Sequence, residues 1–250
     1  MSPLTDRDEP ETIEAVVFDV LGTMVDEPGG LLAGIQRAAP HTPPDEARRL
    51  VDLWQEHVAR EQRRIVEGDR AFVSSDTLDR EAAERVAESA GLTNATAIAQ
   101  LATVGRRLEP WEDSVAGLAR ISTQFAVLGL SNASRASLLR LDAHAGLRWH
   151  VALSAEDTQT YKPAVAVYQR AVDVAACAPE RLLMVAAHAW DLRGAQAAGM
   201  RTAHVRRPVG DPPTPEDTFD LQVDSLDELA TVLTRLTGAY PRHVPDVPAE

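Results

Sequence analysis

Short runs of apolar residues recur along this chain, and longer stretches with the spacing of amphipathic helices separate them. A short, continuous apolar run is typical of a strand buried on both faces of a parallel sheet. We therefore predict an α/β fold with a doubly wound parallel sheet. The predicted strands are EAVVFDV at 14–20, FAVLGL at 125–130, HVAL at 150–153, LLMVAA at 182–187, RTAHV at 201–205 and Leu221–Val223.

Helix boundaries are marked between several of these runs. Pro163 is expected in the first turn of a helix at 164–176, because proline is tolerated where a helix begins. Gly199 is expected to end a helix at 191–198. Helices between strands would form the crossover connections of the sheet. The other predicted helices are 134–144 and 225–236.

The segment from about residue 30 to 108 breaks this alternation, since it contains helical patterns such as DEARRLVDLWQEHVAREQRRIVEG and no convincing strand. We interpret it as a helical cap inserted after the first strand, over the edge of the sheet where ligands bind. The predicted division of the chain is a core domain (13–29 and 109–238), a cap domain (30–108) and mobile terminal segments (1–12 and 239–250).

The charge balance limits the kinds of partner. The chain has 38 acidic and 25 basic residues, a formal net charge of −13 and no block of basic residues, so we expect no binding to nucleic acid or to an anionic membrane. The N-terminus MSPLTDRDEPETIEA lacks the apolar region of a signal peptide, and no apolar run approaches the roughly 18 residues of a membrane span. The single cysteine, Cys177, cannot form an internal disulfide. A cytoplasmic location is expected.

The string VVFDVLGTMVD at 16–26 places Asp19 at the carboxyl end of the first strand. Gly22 and Thr23 then turn the chain. Ligands of open parallel sheets bind at this end of the strands, so a carboxylate there is well placed for chemistry. The alternative is that Asp19 only caps the turn by accepting hydrogen bonds from backbone amides.

Polar residues also follow three other strands. Ser131 and Asn132 precede a helix whose first N–H groups can hold an anion, although either residue could be only an N-cap. Lys162 lies on a loop, where an isolated lysine is usually a solvated charge, and Asp191 could be an acid favoured by a helix dipole. Aspartate, serine, lysine and aspartate at successive strand ends form a specific constellation.

The strings FDVLGT, LSNAS, YKPAVAVY and AAHAWDLRGA are similar to the four motifs of the haloacid dehalogenase superfamily. The resemblance covers about residues 14–237, and the helical insertion lies where that family has its cap. It implies a doubly wound core and a nucleophilic aspartate, here Asp19.

Most members of the superfamily are phosphatases with the pattern DxDGT, in which a second aspartate is the general acid and base. Leu21 stands at that position here, and Ala186-Ala187 replaces the Gly-Asp pair that supplies a metal ligand. Both losses argue against magnesium-dependent phosphoryl transfer. The chain looks closest to the type II L-2-haloacid dehalogenases, because its string AWDLRGA is similar to the corresponding string of those enzymes. The resemblance implies no metal and no cofactor.

That branch implies attack by Asp19 on the Cα atom of a small 2-haloalkanoic acid, displacement of halide, and hydrolysis of the resulting enzyme ester. Thr23, Ser131 and Asn132 would orient the nucleophile or the substrate carboxylate. Lys162 would keep Asp19 ionised through its positive charge. The remaining implied roles are a hydrogen bond near that carboxylate for Tyr168 and orientation of water or of Lys162 for Asp191.

The pocket would be lined by Leu21, by Trp190, which could instead be plain core, and by His188, which stands where the branch usually has an amide and could bond substrate or water. Gln55 stands where these enzymes carry an arginine that helps the halide leave, and a neutral amide stabilises an anion less well. Ala186 replaces a serine of the branch. The ester chemistry is therefore better supported than the halide.

Three alternatives remain open. The same nucleophile could open a strained ring on a small carboxylate, the chain could be a phosphatase with weak residual activity, or it could bind a small acid without catalysis. Leu21 and Ala187 speak against the phosphatase, and the joint presence of Asp19, Lys162 and Asp191 argues against loss of catalysis. The resemblance also leads us to expect a homodimer.

Overall fold

The computed structural model describes residues 12–238, and its six strands form one parallel sheet. The strands are β1 (Ala15–Phe18), β2 (Ala126–Ser131), β3 (Val151–Ser154), β4 (Leu182–Ala186), β5 (Arg201–Val205) and β6 (Leu221–Val223). Their order, β3-β2-β1-β4-β5-β6, is that of a doubly wound fold. The predicted fold class is confirmed. Except for Thr12, the predicted mobile segments at 1–12 and 239–250 lie outside the described residues.

Alternate residues of the strands enter two separate apolar cores, one on each face of the sheet. Val16 and Phe18 of β1 belong to one core, whereas Ala15 and Val17 belong to the other. Neighbouring side chains of a strand point to opposite faces, so a strand that is apolar throughout needs both faces covered. This requirement explains the uninterrupted apolar runs. Strand β1 lies in the interior of the sheet, paired with β2 and β4.

The helices are α1 (Glu27–Ala38), α2 (Pro44–Val66), α3 (Ser75–Ser89), α4 (Ala95–Leu101), α5 (Ser114–Ser122), α6 (Arg135–Ala145), α7 (Val165–Ala175), α8 (Ala189–Ala197) and α9 (Leu226–Gly238). Gly199, with a φ of 85°, follows the end of α8 as predicted. The expectation for Pro163 is wrong. The amide of Ala164 donates to the carbonyl of Tyr161, which closes a turn across Pro163, so α7 begins only after Ala164.

The described residues between β1 and β2 contain no strand. Helix α5 lies directly before β2, and helices α1 to α4 and a short 3₁₀ turn at Val104–Arg107 precede it. They have their own apolar core, in which Leu31 and Ile35 of α1 pack with Trp54 of α2. Helix α1 begins at Glu27 and crosses residue 30, where the predicted cap starts. The domain boundaries themselves stay a prediction.

Candidate active site

Asp19 leaves β1 at the carboxyl end of the sheet, and its neighbours fix its carboxylate. The hydroxyl of Thr23 donates to Asp19 Oδ2 at 2.6 Å and accepts from the amide of Ala187 at 2.9 Å, so one side chain ties the nucleophile candidate to the end of β4. Gly22 makes the intervening turn with a φ of 78°. A Cβ at this position would lie 2.5 Å from His188 Nε2, so both backbone and space require glycine.

Lys162 joins the two acids of the constellation. Its Nζ lies 3.0 Å from Asp19 Oδ1 and 2.7 Å from Asp191 Oδ2, and its side chain is 1% exposed. Burial lowers the pKa of Lys162, but the two adjacent carboxyl groups outweigh it and raise that pKa above the usual value. The lysine therefore carries a positive charge between two buried acids. It is also the only lysine in the chain.

Asp191 and Tyr168 lie behind this ion pair. The Tyr168 hydroxyl donates to Asp191 Oδ1 at 2.6 Å, and both side chains are fully buried. Burial raises the pKa of Tyr168, with the charge of Asp191 adding to the effect, so the phenol keeps its proton and remains a donor. Burial also raises the pKa of Asp191, and Lys162 opposes this shift. A side chain at Gly194 would collide with the Tyr168 ring, so glycine permits this contact.

A cavity of about 270 Å³ separates this end of the sheet from helices α1, α2 and α3. Seven of the predicted site residues line it, and four lie behind them without lining it. The lining residues are Asp19, Leu21, Gln55, Asn132, Lys162, His188 and Trp190. The four that lie behind are Thr23, Ser131, Tyr168 and Asp191.

Ser131 and Asn132 organise the start of α6. The Ser131 hydroxyl accepts from the amide of Ala133 at 3.1 Å, and the amide of Ser134 donates to the hydroxyl of Ser75 at 2.7 Å. Side chains therefore occupy two of the N–H groups that were expected to hold an anion. Asn132 accepts from the backbone of Lys162 at 2.9 Å, so it positions the lysine loop while it faces the cavity.

Trp190 and His188 form one side of the cavity entrance. Their rings lie 5.9 Å apart, and Trp190 is 37% exposed, which excludes the alternative that it is plain core. Gln55 reaches the cavity from the middle of α2, where its side chain lowers the pKa of the Glu27 carboxyl group. The rings of His188 and Trp190 and the amide of Gln55 therefore line the same cavity as Asp19.

Sequence reasoning missed two acids that line the cavity from the helical side, Glu27 at the start of α1 and Asp79 in α3. Burial raises the pKa of Glu27, and the charge of Asp19 adds to this, while His188 and Gln55 oppose it. Burial also raises the pKa of Asp79 well above its usual value, with further contributions from Glu27 and Asp76. Glu27 is a common type of residue for a first helical turn, and Asp79 lies in a charged helical sequence, so neither was conspicuous. No sequence signal marked the face of α3 that points into the cavity.

Residues at the positions of a metal site are apolar. Leu21 and Ala187 provide no oxygen ligands, and Ala187 is buried. Within residues 12–238 no group of three or more histidine, cysteine, aspartate or glutamate side chains is placed to hold a metal ion. A hard divalent cation needs several oxygen ligands, so the donor set here does not suit one.

A buried aspartate after the central strand, bonded to lysine and facing a cavity under helices, defines an α/β protein whose site is centred on a carboxylate. The chain belongs to the haloacid dehalogenase-like hydrolases, because the sequence profile of that family matches residues 13–199. The resemblance seen in the sequence motifs is thereby confirmed.

Individual relatives agree with this assignment. The chain is 30% identical over 236 residues to (S)-2-haloacid dehalogenase 1 of Pseudomonas sp. (strain CBS-3), which covers 91% of this chain and 99% of the relative. It is 27% identical over 202 residues to (S)-2-haloacid dehalogenase H-109 of Pseudomonas putida, covering 79% and 87%. A solved defluorinating L-2-haloacid dehalogenase superposes with a TM-score of 0.81 and 31% identity, covering 89% of this chain and 95% of the other.

Proposed function

We propose that this protein hydrolyses the carbon–halogen bond of a small 2-haloalkanoic acid through an ester on Asp19. One observation carries the proposal: both oxygens of the Asp19 carboxylate are held, by Thr23 and Lys162, at the floor of a cavity of small-molecule size. A fixed carboxylate is suited to attack on an alkyl carbon, since that reaction needs an aligned nucleophile and no metal. The names of the relatives supply the substrate class.

The first step forms one bond and breaks one bond. A lone pair of an Asp19 oxygen attacks the Cα atom, the carbon–halogen bond breaks, and the halide leaves with the bonding electrons. Each carboxylate oxygen has a second acceptor position, so Thr23 and Lys162 can remain bonded while the attack occurs. Leu21 and Trp190 enclose the carbon atoms of the substrate, and Asn132 binds its carboxylate.

The second step returns the enzyme to its starting state. Water attacks the carbonyl carbon of the ester, and the 2-hydroxy acid leaves with an oxygen atom that belonged to Asp19. His188 lines the cavity and accepts a proton from this water. It returns a proton to the oxygen of the departing 2-hydroxy acid as the bond between that oxygen and the carbonyl carbon breaks. Lys162 stabilises the negative charge on the ester oxygen, with Asp191 and Tyr168 as positioning residues that hold the lysine.

A single turnover of L-2-chloropropionate in heavy-oxygen water, with enzyme in excess, tests this mechanism. We expect chloride release and a lactate product without heavy oxygen, since its new oxygen atom comes from Asp19, while mass spectrometry shows the label in the protein. Heavy oxygen in the product would exclude the ester. Absence of chloride, from folded protein and with both enantiomers tested, would exclude dehalogenation and favour a carboxylate with another leaving group.

The chain's setting in the cell is part of the proposal. No helix within residues 12–238 is long and apolar enough to cross a bilayer, and the charge of −13 supports the absence of nucleic-acid partners. We infer a cytoplasmic enzyme that forms a homodimer. Leu139 of α6 is 68% exposed and is the residue chosen to test such a contact. Sedimentation velocity tests the dimer, and Leu139→Glu should shift it to monomer if this surface is the interface.

A further inference from the structure

A buried arginine bonds to the turn that follows the candidate nucleophile. Arg207 lies just after β5, and its side chain is 6% exposed. Its Nε–H group donates to the carbonyl of Thr23 at 2.8 Å, and its Nη1 atom lies 2.8 Å from Asp113 Oδ1. The hydroxyl of Thr23 donates in turn to Asp19 Oδ2. A single residue, Thr23, therefore connects the arginine to the carboxylate.

Donors from later segments of the chain hold three consecutive carbonyls of this turn. The indole of Trp111 donates to the carbonyl of Gly22 at 3.0 Å, and the backbone amide of Trp111 donates to that of Met24 at 3.1 Å. Arg207 holds the carbonyl between them, which belongs to Thr23. A buried carbonyl needs a partner, but a neutral donor is sufficient for this. The one charged donor of the three thus bonds to the residue whose hydroxyl orients the nucleophile.

The charge of Arg207 is unfavourable in this buried place. Its Nη2 atom is buried and has no hydrogen-bond partner among residues 12–238. Burial lowers the pKa of Arg207, and the charge of Asp113 opposes this shift. Apolar side chains can often replace a buried ion pair without loss of stability, so stability alone does not account for this pair. The bond to the carbonyl of Thr23 is the contact that connects this arginine to the site.

We infer that Arg207 is a positioning residue for Asp19 and that it acts through Thr23. The inference rests on the proposed function and deepens it, because it adds a residue outside the cavity to those that align the nucleophile. The hydroxyl of Thr23 is already held, since it accepts from the amide of Ala187 at 2.9 Å and donates to Asp19 at 2.6 Å. Holding the backbone of Thr23 as well fixes the direction from which this hydroxyl reaches the carboxylate.

The signal of the only lysine reports on Asp19 without any turnover. Asp19 and Asp191 are the charges that act on Lys162, so a displaced Asp19 carboxylate changes the Nζ signal of protein labelled with ¹⁵N-lysine. We expect Arg207→Met to move this signal toward its position in the Asp19→Asn protein. Arg207→Gln should leave it near that of the parent protein. The amide nitrogen of glutamine is as many bonds from the backbone as the Nε atom of arginine, so it can still donate to Thr23.

The two variants separate the hydrogen bond from the charge. Both lose the cation that pairs with Asp113, and only the methionine variant also loses the bond to Thr23. Equal signals from the two variants, or a parental signal from Arg207→Met, would overturn the inference. Failure of Arg207→Met to fold, judged by circular dichroism, would show that the contact serves the fold itself and would overturn it too.

The neighbouring arginine provides a matched control. Arg206 pairs with Asp224 at 3.0 Å, and its side chain is 75% exposed. Arg206→Met should therefore leave the lysine signal where it is in the parent protein. A shift in this control as large as that in Arg207→Met would contradict a specific role for Arg207.

The rate of the reaction provides a second readout. Arg207→Met should slow chloride release from L-2-chloropropionate by about tenfold or more, because a displaced nucleophile loses its alignment, and KM should change little. Arg207→Gln should stay within about threefold of the parent rate. Equal rates for the two variants would overturn the inference. If the parent protein releases no chloride, the proposed function fails, whereas the lysine signal still tests whether Arg207 positions Asp19.

Discussion

The two sides of the cavity satisfy their charges in different ways. On the sheet side, which we call the core wall, Asp19, Lys162, Asp191 and Tyr168 form a continuous hydrogen-bonded chain with distances of 2.6 to 3.0 Å. On the helical side, the carboxyl group of Asp79 has no donor among the described residues. The core wall is hydrogen-bonded throughout, whereas the helical wall, formed by α1 and α3, holds the carboxyl group of Asp79, whose pKa burial raises.

Replacing the nucleophile has the largest expected effect. Asp19→Asn keeps the shape of the side chain but replaces the attacking carboxylate, so turnover of a 2-haloacid should fall by about 10⁴-fold or more. Halide release measures the loss, and circular dichroism checks the fold. Activity within tenfold of the parent protein would show that Asp19 is not the nucleophile and that the core wall does not carry out the reaction.

Removing the cation tests whether the core wall acts as a unit. Lys162→Met leaves two buried acids without their shared partner, which should lower the free energy of unfolding by about 3–5 kcal/mol at neutral pH. Urea unfolding measures this change. An unaltered midpoint would show that Asp19 and Asp191 do not depend on the lysine.

The charge of Lys162 can also be observed directly, because the chain contains no other lysine. Protein labelled with ¹⁵N-lysine should give one Nζ signal, which remains that of an ammonium above the usual lysine pKa of about 10.4. Asp19→Asn should lower this pKa, since it removes one of the two raising charges. A signal that titrates at the usual value in both proteins would contradict the ion pair.

A smaller effect is expected one contact further from the cavity. Tyr168→Phe removes the hydroxyl that donates to Asp191 and should cost about 1–3 kcal/mol of stability, because a buried acceptor loses its donor. As a positioning residue, Tyr168 should affect the rate of the chemical step more than KM. A change confined to KM would place it in substrate binding instead.

The core wall could be predicted from the sequence, and the helical wall could not. Strands that are apolar throughout must lie in a parallel sheet, and the carboxyl ends of such strands meet at one edge, so Asp19, Lys162 and Asp191 were brought together by topology alone. Which face of a cap helix points inward depends on how α1, α2 and α3 pack on one another. Asp79 resembles a solvated acid until that packing is known.

The smallest predicted effect concerns the pH dependence of stability and tests the helical wall alone. The raised pKa of Asp79 in the folded protein means that the folded state keeps a proton that the unfolded state has lost. The free energy of unfolding should therefore fall as pH rises from the usual aspartate value to the raised one, by up to about 1.4 kcal/mol per pH unit for each such proton. Asp79→Asn should flatten this decline in urea unfolding above the usual aspartate pKa of about 3.9, whereas Asp45→Asn, at an exposed site on α2, should not. Parallel stability curves for the parent and Asp79→Asn would mean that Asp79 is ionised in the empty cavity, and the helical wall would then be as well satisfied as the core wall.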